Sequence, residues 1–185
     1  MMMVKGLVVL PTRELALQVE EALHALGKSI GLKTAVLIGG ESMDRQFRAL
    51  RQDPHIVIVT PGRLIDHLER KSISLSKVGI LVLDEADRML DMGFAPQLKR
   101  ILTHVPKERQ TMLFSATMPE EIIQIATSYM KLPVRVEVAQ QGTTASKVTQ
   151  ELFFVQKNEK LGLLKNLLTE YRGSTLVFSR TKFGA

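Results

Sequence analysis

Ile80-Leu81-Val82-Leu83-Asp84-Glu85-Ala86-Asp87 sets four large apolar residues directly before three carboxylates in four positions. Four apolar residues in unbroken succession, with no polar alternation, read as a short strand covered on both faces, the habit of a parallel sheet. The same pattern recurs on either side. Lys5–Leu10, Thr34–Ile38, Ile56–Thr60, Gln110–Ser115 and Val134–Val138 are further strand candidates. Helical patterns separate them near Arg13–Ile30, Ser42–Arg51, Gly62–Lys71, Ala95–Thr103 and Pro119–Met130. In the first helix Leu15, Val19, Ala22, Leu26 and Ile30 recur at steps of three and four, which predicts one buried stripe. Strand and helix in alternation predict an α/β fold built on a parallel sheet.

Farther out, Ala139–Lys147 is polar and small-residued, so an interdomain linker is expected over 139–148, after a first domain at 1–138. Beyond it Thr149–Val155 reads as a strand, Lys157–Tyr171 as a helix and Ser174–Ser179 as a strand. Residues 149–185 are therefore expected to begin a second α/β domain.

The whole chain has 185 residues, 45% hydrophobic, with a net charge of +6. Residues 141–185 carry 7 basic against 3 acidic side chains, so the excess is concentrated there. A basic balance suits a polyanionic partner without requiring one. No apolar run approaches the roughly 18 residues a membrane helix needs, so no membrane role is expected. The absence of cysteine excludes disulfides and thiolate metal sites and fits a reducing cytoplasm. His24, His55, His67 and His104 are scattered and form no metal-spaced pair. With 5% aromatic residues and no Trp, stacking platforms for several bases are not expected, and backbone contacts are favoured.

In a parallel α/β sheet every strand-to-helix turn lies on one edge, where ligands collect. The polar motifs fall at these turns. Asp84 just past its strand suits water-mediated Mg²⁺ binding, and Glu85 could orient an attacking water. Equally, Asp84 could cap a helix with Glu85 and Asp87 in its first turn. Ser115-Ala116-Thr117, taken alone, reads better as a helix cap. Thr117 and Glu120 have capping-box spacing, with Pro119 in the first turn.

Pro11-Thr12-Arg13-Glu14 and Thr60-Pro61-Gly62-Arg63 each place Thr at a helix start beside an Arg. Gly39-Gly40 has no side chain to hinder the approach of another backbone. Each turn singly reads as a routine cap or tight turn. Three on one edge favour phosphate binding. Arg45, Arg48 and Arg51 form a stripe read as a solvated face, and the methionines as core filler.

In their order along the chain, these motifs resemble those of the DEAD-box family of ATP-dependent RNA helicases, with wording most like bacterial members. The likeness rests on Pro11–Ala16, Gly39-Gly40, Thr60–Arg63, Asp84-Glu85-Ala86-Asp87 and Ser115-Ala116-Thr117. Val177-Phe178-Ser179 resembles the first motif of the family's second RecA-like domain. The resemblance implies an incomplete RecA-like (P-loop NTPase-type) first domain and the start of a second. It implies ATP and Mg²⁺ as cofactors, with Asp84 and Glu85 handling the metal and the water. It also implies that Asp87 is linked to Ser115 and Thr117 to couple hydrolysis to RNA work. Pro11, Thr12, Arg13, Glu14, Gly39, Gly40, Thr60, Pro61, Gly62 and Arg63 would hold one RNA strand by its sugar-phosphate backbone.

The 185 residues depart from the family pattern in one chemically decisive respect: no G-x-x-x-x-G-K-[ST] occurs among them. That loop supplies the amide cradle and lysine for phosphates and the hydroxyl for Mg²⁺. The upstream glutamine motif and the arginine finger of domain two are also missing. The chain by itself is therefore expected to be catalytically incompetent, and an ATP-independent RNA-binding module is the alternative. The missing strand should also leave Ile80–Asp84 and Gln110–Ser115 with an unpaired edge, making the isolated chain marginally stable and aggregation-prone.

Overall fold

A computed structural model describes residues 4–137 and 148–179. The chain divides into two compact units, Met1–Val138 and Ala139–Ala185. In the first, β1 (Gly6–Val9), β2 (Thr34–Leu37), β3 (Ile56–Val59), β4 (Ile80–Leu83) and β5 (Gln110–Leu113) form one sheet in the order β2-β3-β1-β4-β5. All four pairings are parallel and in step. Leu37, Val59, Val9, Leu83 and Leu113 stand on one line across the sheet. The connecting helices are α1 (Arg13–Gly27), α2 (Met43–Leu50), α3 (Pro61–Glu69), α4 (Ala86–Asp91), α5 (Ala95–His104) and α6 (Glu120–Tyr129).

The period-two alternation of a strand explains why the strands are apolar throughout. Leu7, Val9, Leu37, Val57, Val59, Leu81 and Leu83 point to the larger core, where Leu50, Leu64, Met89, Leu98, Ile101 and Ile122 pack from the helices. Ile38, Ile58 and Leu10 belong to a smaller core, closed by Ala16 with Leu15, Val19 and Leu23 of α1. Each such aliphatic side chain contributes about 2 kcal/mol by leaving water. The smaller core does not extend across β4 and the end of β5: Ile80 is 46% and Phe114 53% exposed.

Several expectations are corrected. The apolar stripe of α1 runs through Leu15, Ala16, Val19 and Leu23, while Ala22 is exposed and Leu26 and Ile30 are each 79% exposed. The helix stops at Gly27, where Leu32 folds back and its amide donates to the Gly27 carbonyl at 3.0 Å. Gly31, left-handed at φ +67°, makes that reversal possible after a single 3₁₀ turn over Lys28–Ile30. The expected open edge on Ile80–Asp84 does not occur. β4 is paired on both sides, by β1 and β5, and only β5 has an unpaired side among the described residues. The acidic turn leads directly into a short helix, α4, which lies between β4 and α5.

No strand forms over residues 134–137, and Val138 lies outside the described residues. The same holds in the second unit. Among the described residues, 149–155 and 174–179 join no ladder, and only α7 (Lys160–Glu170) is regular. Phe154 is 94% and Phe178 88% exposed there. β-propensity alone does not make a strand, which needs a ladder partner and a face to pack on, and no ladder is formed by these segments among the described residues. Of the linker expected at residues 139–148, residues 139–147 lie outside the described chain, as do the final residues 180–185.

Candidate nucleotide and nucleic-acid rim

The in-step register carries all five strand ends to one edge of the sheet. Pro11–Glu14 follows β1, Gly39-Gly40 follows β2, Thr60–Arg63 follows β3, Asp84–Asp87 follows β4, and Ser115–Thr117 follows β5. The ladder continues into the turns, as Thr60 N donates to Leu37 O at 3.0 Å and Asp84 N to Val9 O at 3.0 Å. Arg13, Arg63, Asp84 and Ser115 therefore share one rim.

On the β4–β5 side the acidic turn is tied to the hydroxyl turn. Asp84 Oδ1 accepts the Glu85 amide at 2.9 Å, and Glu85 sits at φ +48°, a left-handed conformation costing a non-glycine residue about 1 kcal/mol. This bend starts α4 without a side-chain cap of its own. Its first amides are satisfied from β5 instead: Ala86 N donates to Phe114 O at 3.0 Å and Asp87 N to Ser115 Oγ at 3.1 Å. In return Asp87 Oδ2 accepts both the amide and the hydroxyl of Thr117, each at 2.7 Å.

The Thr117 hydroxyl thus does not begin a capping box; α6 starts at Glu120 with Pro119 at its cap position and no side-chain bond. Neither does Asp84 cap α4 in the ordinary way. Partial burial pushes the Asp87 carboxyl up. The Thr117 hydroxyl and amide, the Arg88 amide and Ser115 outweigh it and hold its pKa below the usual value. The Glu85 carboxylate pairs with Arg88 at 3.0 Å, an exposed contact contributing little.

On the β1–β3 side, Thr12 caps α1, accepting from Leu15 N at 3.3 Å, whereas Thr60 and Ser42 make no such bond. The group approaching Gly40 is a side chain, not a backbone: a Cβ there would collide with the Arg13 guanidinium, and Gly40 is left-handed at φ +74°. Arg63 donates to the Glu41 carbonyl at 3.0 Å and approaches Asp66 at 3.6 Å, its side chain only 13% exposed. The glycine turn is therefore reached by two arginines, Arg13 from the turn after β1 and Arg63 from the turn after β3. Pro61 supplies no N–H, and the Gly62 and Arg63 amides at the head of α3 have no partner among the described residues.

Sequence reasoning missed a buried polar path beneath these turns. Gln46 Nε2 donates to Ile38 O at 2.9 Å and Gln46 Oε1 lies 2.9 Å from His67 Nε2. His67 Nδ1 lies 2.8 Å from Ser72 Oγ, and Phe47 meets the imidazole edge-on. His67 is fully buried. Burial, with Arg63 and Arg70 adding repulsion against the opposing pull of Asp66, lowers its pKa to about 4. A signal was present: Gln46 shares the inward face of α2 with Met43, Phe47 and Leu50, at helical spacing. Arg45, Arg48 and Arg51 are all exposed.

Among the described residues no three His, Asp or Glu side chains converge into a metal-binding group. A Mg²⁺ on this rim would have to take most of its oxygen ligands from water and phosphate, the usual habit of that ion, with Asp84 as its protein anchor. For the triphosphate itself the fit is poorer, since neither Asp84–Arg88 nor Ser115–Thr117 contains a lysine.

A wholly parallel sheet with carboxylate, hydroxyl and arginine turns gathered on one rim defines an α/β domain of the RecA-like class. The sequence model of the DEAD/DEAH box helicase family matches residues 2–125, and the chain belongs to that family. It is 44% identical over 180 residues to the DEAD-box ATP-dependent RNA helicase CshA of Geobacillus kaustophilus, covering 97% of this chain and 38% of that protein. It is 42% identical over 179 residues to the ATP-dependent RNA helicase DbpA of Bacillus subtilis, covering 96% and 37%. The chain thus spans little more than a third of these relatives. In structure it is similar to a DEAD box protein from Methanococcus jannaschii, with a TM-score of 0.67 and 41% identity, covering 69% of this chain and 35% of that one. No helix among the described residues is long and apolar enough to cross a membrane.

Proposed function

We propose that these residues form part of an ATP-dependent RNA helicase acting in the cytoplasm, with the rim divided between two tasks. The β4–β5 side serves the nucleotide. Asp84 would hold Mg²⁺ through water, Glu85 would orient a water beside a bound phosphate, and Asp87 would connect that turn to Ser115 and Thr117. When bound, the metal neutralises charge on phosphate oxygens. The β1–β3 side holds one RNA strand by its sugar-phosphate backbone. There the Gly62 and Arg63 amides, the Gly39-Gly40 turn and the Arg13 and Arg63 guanidiniums present positive or partly positive groups, with Thr12, Thr60, Pro11, Glu14 and Pro61 shaping the turns. In this reading 149–185 begin a second RecA-like domain that follows the linker at 139–148.

The observation that carries the proposal is the double bond set from Thr117 to Asp87 Oδ2, matched by Ser115 receiving the Asp87 amide. A carboxylate that held only its own helix would not need two donors and an acceptor from the next strand's turn. The link gives any change at the acidic turn a direct mechanical route into the β5 turn.

The test is a titration of the 185-residue chain with single-stranded RNA at two salt concentrations, with and without Mg-ATP. Salt-sensitive binding without RNA-stimulated phosphate release is the expected result, because the chain has no phosphate-loop sequence. Salt-insensitive binding, or none, overturns the assignment of the β1–β3 side.

A further inference from the structure

We infer that Gln46 and His67, which touch no ligand surface, are positioning residues that set the Gly39–Glu41 turn against the head of α3 for RNA-backbone binding. The inference rests on the RNA-backbone reading of that side of the rim and adds to it the device that fixes its spacing.

The geometry is specific. Ile38 immediately precedes the glycine turn, and its carbonyl takes the Gln46 amide at 2.9 Å. The other end of the same side chain meets His67 Nε2 at 2.9 Å. His67 lies on α3, the helix whose first residues are Pro61-Gly62-Arg63. One glutamine therefore bridges the turn after β2 and the helix after β3. Ser72 holds the far side of the imidazole at 2.8 Å, so the ring cannot rotate without losing a partner. On the surface Arg63 reaches the Glu41 carbonyl, closing the same two turns from outside. The glycine turn is held between a buried clasp and an exposed one.

Stability alone does not account for the buried clasp. Gln46 is 3% exposed and His67 not at all, and the neighbouring positions are anchored by Leu50 and Leu64. An apolar pair of similar size would pack there without the cost of desolvating an amide and an imidazole. What the polar pair adds is direction: hydrogen bonds fix the Ile38 carbonyl, and with it the following turn, where dispersion contacts would tolerate a shift. Gly40, left-handed and pressed by Arg13, has no side chain through which the turn could be anchored otherwise.

The experiment measures binding of a labelled single-stranded oligouridine by the 185-residue chain, together with amide hydrogen exchange at Gly39–Glu41. Gln46→Met keeps the volume and removes both bonds. Gln46→Asn, one methylene shorter, keeps at most one and serves if the first variant folds poorly. Ile101→Val, in the larger core, matches a loss of stability without touching the rim. Compared at equal folded fraction, Gln46→Met is expected to speed exchange at the turn. It should also weaken binding about tenfold, the low end of what removing an orienting partner costs. Gln46→Asn falls between, and Ile101→Val changes neither. Undiminished binding in both Gln46 variants, or an equal loss in Ile101→Val, refutes this inference alone. Absence of salt-sensitive binding by the unmutated chain refutes the RNA reading of the rim, and the inference with it.

Discussion

Acidification should destabilise the first unit through His67, and the size of the effect follows from its burial. The imidazole is neutral in the folded chain, with a pKa of about 4 against an ordinary 6.5. In the unfolded chain it takes up a proton as the pH falls through 6.5, whereas in the folded chain it does so only near 4. The unfolded state therefore binds more protons throughout that window, and stability falls as pH falls. Above pH 6.5 the two states match and nothing is lost. At pH 5 linkage gives a loss of roughly 2 kcal/mol, and below pH 4 the loss levels off at roughly 3 kcal/mol.

That is a large share of the 5–15 kcal/mol typical of a domain. The assay is urea unfolding followed by circular dichroism at pH 7.5 and pH 5, on the unmutated chain and on His67→Gln. The glutamine removes the titrating group and retains an amide donor towards Gln46. Subtracting the two pH dependences cancels every other ionisable side chain and leaves His67. A difference of roughly 2 kcal/mol supports the burial argument; parallel behaviour of the two proteins across this range refutes it.

Other consequences are equally direct. Asp87→Asn keeps the shape but weakens the acceptor for Thr117 and should cost about 1–2 kcal/mol, read by thermal melting. Because the Asp87 pKa is depressed, its contribution is present above the usual carboxylate range and disappears as pH falls through the lowered value, so the variant should differ least from the unmutated chain in strong acid. Gly40→Ala meets both a left-handed backbone and the Arg13 guanidinium, and should cost about 2 kcal/mol and weaken RNA binding, measured by melting and titration. Arg109 donates to Pro106 O and Tyr129 O, so Arg109→Ala strands the carbonyl that ends α6 and should cost about 2 kcal/mol in urea unfolding. The unpaired side of β5, beside exposed Phe114, should make the isolated chain aggregate on heating; a sharp, reversible, two-state melt of the monomer would contradict this.

Much of the first unit was legible from local chemistry. Ile80–Leu83 and Ile56–Val59 announced buried strands by unbroken apolarity, and the polar turn after each announced the rim, because parallel connections return every strand in the same direction. Local reading failed where a group's partner is distant in sequence. Thr117 and Glu120 have the spacing of a cap, in which the hydroxyl oxygen would accept a helix amide, yet Thr117 turns its hydroxyl and amide as donors to a carboxylate 30 residues away and α6 starts without a side-chain bond. Leu26 and Ile30 continue a helical stripe, yet Leu26 lies within α1 off the face that Leu15, Ala16, Val19 and Leu23 bury, and Ile30 falls beyond Gly27, where the helix ends.

By itself the amino-acid order determined the alternation of strand and helix, the residues available at each turn, and the family likeness. All of these depend on neighbours along the chain. Tertiary structure alone decided that Arg13 lies on Gly40, that Arg63 reaches the Glu41 carbonyl, and that Gln46 meets His67. It also decided that 134–137, 149–155 and 174–179 stay unladdered. Hydrogen bonds across elements are satisfied by whichever donor the packed sheet brings within about 3 Å, and that choice is made only once the layers close.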